Sequence, residues 1–465
     1  MSSPAPAALA VLWATAGCEA EALRQVTLTG EDPVLRTQFR IGAVASASIA
    51  ASSLAAIEVH RARGAPRQSL RVAANAAVAL FRSERYCRVN GAPPEDPWSP
   101  IAGFYPTADG KHIQLHTNFP HHRDGTLALL GCTNDRSAVT SAIASWRGAD
   151  LEDALAERGM CGALVRTAHE WETHPQAVAL ADLPTIEVLR IGDAPATPLP
   201  HLAARPLTGI RVLDLTRVIA GPVAGRELAA HGADVLQVSA QHLPSLPALN
   251  VDVNRGKRST FIDLRTAFGQ NTLARLASRA DVFIQGYRPG ALDALGFSPE
   301  ALTAARPGIV YVSLSAYGHA GPWAQRRGFD TLVQAVSGIA HDHGSAVGVD
   351  GPAHLPVSAI DHATGYLAAF GAQVALLRRV TEGGSWLVRV SLAQTGHFIS
   401  GLGLLPTGSS ATDQGLSDVT HLLAKEHGAS GEVTYVRHAA QLSSTPPYWE
   451  HAAPPLGSQE PLWLY

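Results

Sequence analysis

Charge is sparse in this sequence: 16% of its 465 residues are Asp, Glu, Lys or Arg, and the formal net charge is −3. No field of one sign can cover such a surface, which excludes general nucleic-acid binding, so any anionic ligand has to be met by local cations. Cysteine is scarcer still. Cys18, Cys87, Cys132 and Cys161 form no CxxC pair and have no ligand-spaced histidine beside them, so they read as reduced, mostly buried thiols. The N-terminal stretch lacks a basic region, and Glu19 and Glu21 follow it, which argues against a secretory signal and makes the cytoplasm the expected compartment. Long apolar runs are also few. The one from Ile41 to Ile57 carries serines among Gly and Ala, a composition of closely packed helices rather than of a membrane span, and no membrane association is expected.

What is present is a hydrophobic content of 46% punctuated by 42 Gly and 31 Pro, as in a compact, loop-rich globular chain of two or three domains. A weak internal repeat runs through it. The segment from Gly42, GAVASASIAASSLAAIEVHRARGAPRQSLRVAANAAVALF, parallels AIDHATGYLAAFGAQVALLRRVTEGGSWLVRVSLAQTGHFI from Ala359. Pairing Arg71-Val72 with Arg389-Val390 puts Ala43 opposite Asp361, so only the second copy carries a carboxylate there. Each copy reads as a small-residue helix, a basic turn and a short alternating strand.

Between the copies, GFYPTADGKHIQLHTNF predicts a hairpin with its turn at Asp109-Gly110, followed by helices near 126–130 and 146–158 and a strand at 162–166. The Pro-rich passage after Gly192 reads as a linker. Then GIRVLDL, VIAGPVAGRELAAHG and ADVLQVS make a βαβ unit, and STFIDL, DVFIQG and IVYVSLS add further strands. The expected fold is α/β: a Rossmann-like, doubly wound parallel sheet with a smaller α/β domain. The expected divisions are 1–95, a helical and strand remnant of a first large-domain copy; 96–191, the small domain; 192–206, the linker; and 207–465, the ligand-binding domain with a C-terminal segment.

The dinucleotide reading of the βαβ unit is weakened by Ala220-Gly221-Pro222 where GxGxxG would stand, and by Val238-Ser239 where an acidic ribose ligand would come. Cations gather instead at strand ends: Lys257, Arg258 and Arg265, Arg288 in GYRPG, and Arg326-Arg327. Their recurrence points to a phosphate-bearing ligand. Asp361 lies where a Pro-broken approach meets a long apolar helix, which admits two readings. It is a helix cap, stabilised by free backbone N–H groups, or a nucleophile toward an activated carbonyl, for which an ionised carboxylate needs no base.

The collinear pieces LDLTRVIAGPVAGRELAAHGADVLQV, NRGKRSTFIDLRT, DVFIQGYRPGALDALGFSPEAL, YVSLSAYGHAGPW, RRGFDTLVQAVSG and AIDHATGYLAAFGAQVALLRR resemble the class III CoA transferases, a family that includes formyl-CoA transferases, carnitine CoA-transferases and α-methylacyl-CoA racemases. The resemblance covers most of 207–398. It implies an enzyme that moves CoA between an acyl-CoA and a carboxylic acid, with Asp361 as the acyl acceptor in an aspartyl anhydride and thioester cycle. It further implies that Val218, Ile262, Arg265, Gly286, Tyr287, Leu295 and Arg327 contact CoA, with Arg288 beside them. It implies a homodimer and no tightly bound cofactor, acyl-CoA being a substrate. The order departs from the family's: the small domain, with Tyr105 to Gly110 similar to the YxTxDG region, precedes the complete large domain, as in a shifted fragment of a duplicated ancestor. Racemases of the family carry a histidine where this chain has Phe329 in Gly328-Phe329-Asp330, so transfer is favoured over racemisation, with His362 a conceivable substitute. A non-catalytic partner is the third reading. The histidines His116, His121 and His122, like His341 and His343, lack the helical spacing and fourth ligand of a zinc site, and no metal is expected.

Overall fold

Seven strands build the main sheet: β1 Ile186–Gly192, β2 Arg211–Leu215, β3 Asp234–Ser239, β4 Arg258–Phe261, β5 Val282–Gln285, β6 Val310–Ser315 and β7 Ser385–Ser391. Their near-continuous apolar character suits strands covered on both faces. In the computed structural model, which describes residues 4–199, 203–406 and 408–464, the spatial order is β4-β3-β2-β5-β6-β7-β1. The pairs from β4 through β7 are parallel, and β1 closes the edge antiparallel to β7. The expected doubly wound sheet is therefore present, and the order of its parallel strands reverses between β2 and β5, the switch point where ligands of such sheets bind.

The division at residue 191 needs correction. Ile186–Gly192 belongs to the large sheet, because its backbone pairs with β7 from Ile186↔Val390 onward. Part of the Pro-rich passage, residues 200–202, lies outside the described residues. The C-terminal segment also leaves the expected 207–465 unit: Ala440–Leu442 pairs antiparallel with Leu70–Val72, and that strand pairs in parallel with Val26–Thr29. A separate three-stranded sheet is made by Gly103–Pro106, His112–Leu115 and Gly162–Leu164, with Gly110 at φ 74° in the hairpin turn. Ile101, Tyr105, Ile113, Val139, Leu151 and Leu155 form a hydrophobic cluster against this sheet.

Four helices position the site: α1 Ile41–Ala62, α2 Ala220–Ala230, α3 Asp330–Val336 and α4 Ala359–Thr381. By length and composition α1 suffices to cross a bilayer, yet 94% of its apolar window is buried inside the protein, where it packs along α4. Gln373 on α4 donates to Ser52 on α1 at 3.0 Å, and Ser52 donates to Glu227 on α2 at 2.9 Å, a polar seam through the helical layer. The repeat is real in three dimensions. Asp361 and Ala43 are each the third residue of their helix. In the parallel pairings Thr27 lies opposite Arg71, and Ser313 lies opposite Arg389, so VTLT at 26–29 matches VSLS at 312–315.

Candidate active site

The sequence left Asp361 as either a cap or a nucleophile, and the fold separates the two roles. The backbone N–H of Asp361 donates to the Asp330 carboxylate at 2.9 Å, so Asp330, at the start of α3, caps α4 from outside. Asp32 does the same for α1, accepting from Gly42 at 2.7 Å and Ala43 at 2.9 Å. The Asp361 carboxyl is thereby left free of capping. It opens onto two cavities. One, of about 370 Å³, lies over the switch point and is lined by residues 215–221, Gly286 to Pro289, Arg326 to Phe329 and Asp361. The other, of about 420 Å³, is lined by Glu84, Arg85, residues 93–98, His116, Phe329, Asp330 and Asp361.

Electrostatics oppose the ionised form of this carboxyl. Asp361 is 6% exposed, and burial first, then the charges of Asp330 and Glu84, raise its carboxyl well above the ordinary value. Burial likewise lifts Asp330, to about 6. The two acids titrate together, so that ionising one opposes ionising the other. The N–H that follows Asp361, at His362, is committed to Ser358 O at 3.1 Å. Gly365 offers no room for a thioester either: a Cβ there would lie 2.5 Å from the Ala220 carbonyl oxygen and 2.7 Å from Val223. Its missing side chain lets α4 cross α2.

Of the residues the sequence singled out, Val218, Gly286, Tyr287, Arg288 and Arg327 line the first cavity with Asp361. Val218 holds φ at 75°, a costly conformation for a β-branched residue, and such strain concentrates at functional sites. Arg327 reaches the small domain, donating to Gly159 O at 2.8 Å and His122 at 3.0 Å. Three others stand apart from this cavity. Ile262 and Leu295 pack into the hydrophobic cluster beside Phe283 and Phe297. Arg265 is exposed and tied to Asp263 at 2.7 Å. Two of the strand-end cations are structural: Lys257 is wholly buried on Asp214 at 2.7 Å, and Arg258 grips Asp234. His362 is wholly buried too, bonded to Glu84 at 3.2 Å and stacked on Phe81, so it lines neither cavity.

Sequence reading missed Arg217, which lines the first cavity, and Glu84, Arg85 and Trp98, which line the second. Arg217 lies within the TRVIAGP stretch and was within reach; the others come from the first copy and its junction with the small domain, and only tertiary structure brings them to Asp361. His116 stacks on Phe329 at 3.8 Å between centroids, and burial holds it neutral down to about 3. Among the described residues, Glu227, His231 and His438 have ligand atoms close enough for a metal. They already satisfy one another: Glu227 accepts from His231 at 3.1 Å and from His438 at 2.7 Å, and His438 Nδ1 accepts from the Ala440 N–H, which places its proton on Nε2. That cluster is a polar strut between α2 and the C-terminal segment.

With this geometry established, residues 207–417 match the model of CoA-transferase family III. Through that region the chain is similar to the family. An acetyl-coenzyme A transferase of Hypoxylon pulicicidum is 30% identical over 315 residues, 63% of this chain and 53% of that protein. A succinyl-CoA:glutarate CoA-transferase of Homo sapiens is 36% identical over 183 residues, 37% of this chain and 41% of that one. A crystal structure of a hypothetical protein from Mycobacterium tuberculosis, Rv3272, is 34% identical over 43% of this chain and 58% of its own, with a TM-score of 0.40. The chain spans about half the length of the curated relatives it matches. The matched family III region runs from β2 past β7 and contains both α3 and α4, hence both Asp330 and Asp361.

Proposed function

We propose that this protein is a CoA transferase that moves CoA from an acyl-CoA to a carboxylic acid through Asp361. The observation that carries this is the position of one uncapped carboxyl at the meeting point of two cavities. The first is cationic, with Arg217, Arg288, Arg326 and Arg327, and suits the phosphates of CoA. The second has room for an acyl group or a free acid. The match of residues 207–417 to CoA-transferase family III and the named activities of the relatives support the same reading.

Once ionised, an Asp361 carboxylate oxygen attacks the thioester carbonyl carbon. The C–S bond breaks, CoA leaves as thiolate, and a mixed anhydride forms. The thiolate then attacks the aspartyl carbonyl carbon, the donor acid leaves as its carboxylate, and the enzyme holds CoA as an aspartyl thioester. The acceptor carboxylate attacks that thioester and the two steps run in reverse, restoring Asp361. No proton is consumed over the cycle. The cations of the first cavity keep the thiolate's carrier bound between steps, so that recapture is intramolecular.

Incubation with a panel of acyl-CoAs, followed by intact-mass measurement, tests this. A mass increase of CoA less water, mapped to Asp361, released by hydroxylamine and absent in Asp361→Ala, is expected. Transfer near the wild-type rate in Asp361→Ala would overturn the assignment.

A further inference from the structure

The two cavities that meet at Asp361 carry opposite charge. In the first the arginines outnumber the acids. In the second, Glu84, Glu95, Asp96 and Asp330 face a single cation, Arg85. Glu84 remains charged there: burial works to raise its carboxyl, but the hydrogen bond and charge of His362, with Arg85, outweigh burial and leave it below its ordinary value. Glu95 and Asp96 stand exposed at the mouth, Asp96 accepting from the Trp98 N–H at 3.0 Å. Trp98 is 45% exposed, stacks on His354 and tilts toward His116. Such a rim presents an aromatic face and negative charge to whatever lies beyond the reacting carboxyl.

We propose that the second cavity selects acids whose far end is neutral or cationic and turns away dicarboxylic acids. A second carboxylate would be drawn into a low-dielectric space already holding net negative charge, and like charges there cost affinity and slow entry. A quaternary ammonium gains the same field, and the Trp98 ring adds cation–π attraction. The apolar walls, Phe329, Leu246 and Leu249, fit the methylenes between the two ends. The inference rests on the transferase reading and specifies its acid.

The test uses three acids of one chain length: hexanoate, adipate and ω-trimethylammonio-hexanoate. Each is paired with its own CoA thioester, and exchange of isotopic label between the thioester and the free acid is followed, so no natural donor need be known. At low ionic strength the adipate pair is expected to exchange at least about tenfold more slowly than the hexanoate pair, and the ammonium pair at least as fast. Salt at about 0.5 M should narrow the gap. In Glu95→Gln/Asp96→Asn the ratio of adipate to hexanoate rates should rise by about fivefold or more. Adipate exchanging as fast as hexanoate, or a ratio unmoved by both salt and the rim variant, would overturn the inference. If no pair exchanges and no CoA adduct forms on Asp361, the transferase reading fails and takes the inference with it. An adduct that forms with equal rates for the three pairs defeats the inference alone.

Discussion

Gly365→Ala adds one methyl group and tests the helix crossing that presents Asp361. The added Cβ would stand 2.5 Å from the Ala220 carbonyl oxygen and 2.7 Å from two carbons of Val223. Ordinary contact requires separations larger by roughly 1 Å, and the nearest obstacle is backbone rather than the end of a flexible side chain. Helices α2 and α4 must therefore part. Overpacking of this kind costs about 1–3 kcal/mol, and the upper half of that range is expected here. Asp361 lies one turn before Gly365 on the same helix face, so the displacement reaches the reacting carboxyl, and a shift of that size lowers the rate of adduct formation by about 100-fold. Gly401 is the control: it ends a helix, and a Cβ there meets nothing within 4 Å, so Gly401→Ala should be neutral or slightly stabilising. Urea denaturation measures the first effect and the rate of CoA-adduct formation the second. A Gly365→Ala protein as stable and as reactive as the wild type would refute the close crossing.

Because burial and neighbouring acids raise the Asp361 carboxyl, its ionisation opposes folding: the penalty is absent below about pH 4 and grows as pH rises toward the folded value. Asp361→Asn should thus become progressively more stable than the wild type as pH increases from 4 to 8 in thermal melts, and parallel profiles would contradict the burial. Asp330→Asn, which keeps an acceptor for the α4 N–H but removes a charge, should move the acidic limb of adduct formation to lower pH; an unmoved limb would mean that the two acids do not interact. CoA binding should weaken with ionic strength, and Arg327→Ala, a cleft-lining change, should lower affinity by about tenfold and flatten the salt slope, with a smaller effect from Arg265→Ala; titration at several salt concentrations decides this. With Phe329 in place of an imidazole and His116 held neutral, a 2-methylacyl-CoA incubated in heavy water should not take up deuterium at the α-carbon; uptake at a catalytic rate would favour racemisation.

The doubly wound sheet was legible because each strand is a short apolar run bounded by turn residues, and parallel crossovers admit few arrangements. The antiparallel edge was not. Ile186–Gly192 alternates weakly and carries Glu187 and Arg190, which suits a strand covered on one side but names no partner. The repeat pointed to Asp361 through register alone, yet its role depended on a residue 31 positions earlier in sequence, the capping acid Asp330. A signal for that acid was present: Gly30-Glu31-Asp32 precedes α1 as Gly328-Phe329-Asp330 precedes α4. Charge clusters misled where they were buried. Lys257 and Arg258 read as ligand groups because sequence shows a cation but not the carboxylate folded against it.

The two copies have diverged in a way that their shared geometry explains. Both keep a remote aspartate on the helix N-terminus, because without it the first N–H groups of a buried helix would go unpaired. That requirement is structural and holds whether or not chemistry follows. The carboxyl at the third helical position is a separate matter. A buried carboxyl beside the capping acid is electrostatically costly, and it survives in α4, where the third position opens onto an arginine-lined cleft, but not in α1, where the same position is Ala43, 3% exposed within the core. The first copy nonetheless remains part of the site. Glu84 and Arg85 come from the short helix Ser83–Tyr86, the second helix after its strand, and residues 93–98 follow on toward the strand Gly103–Pro106. Position 43 thus carries no carboxyl, while the surrounding segment walls the cavity onto which Asp361 opens.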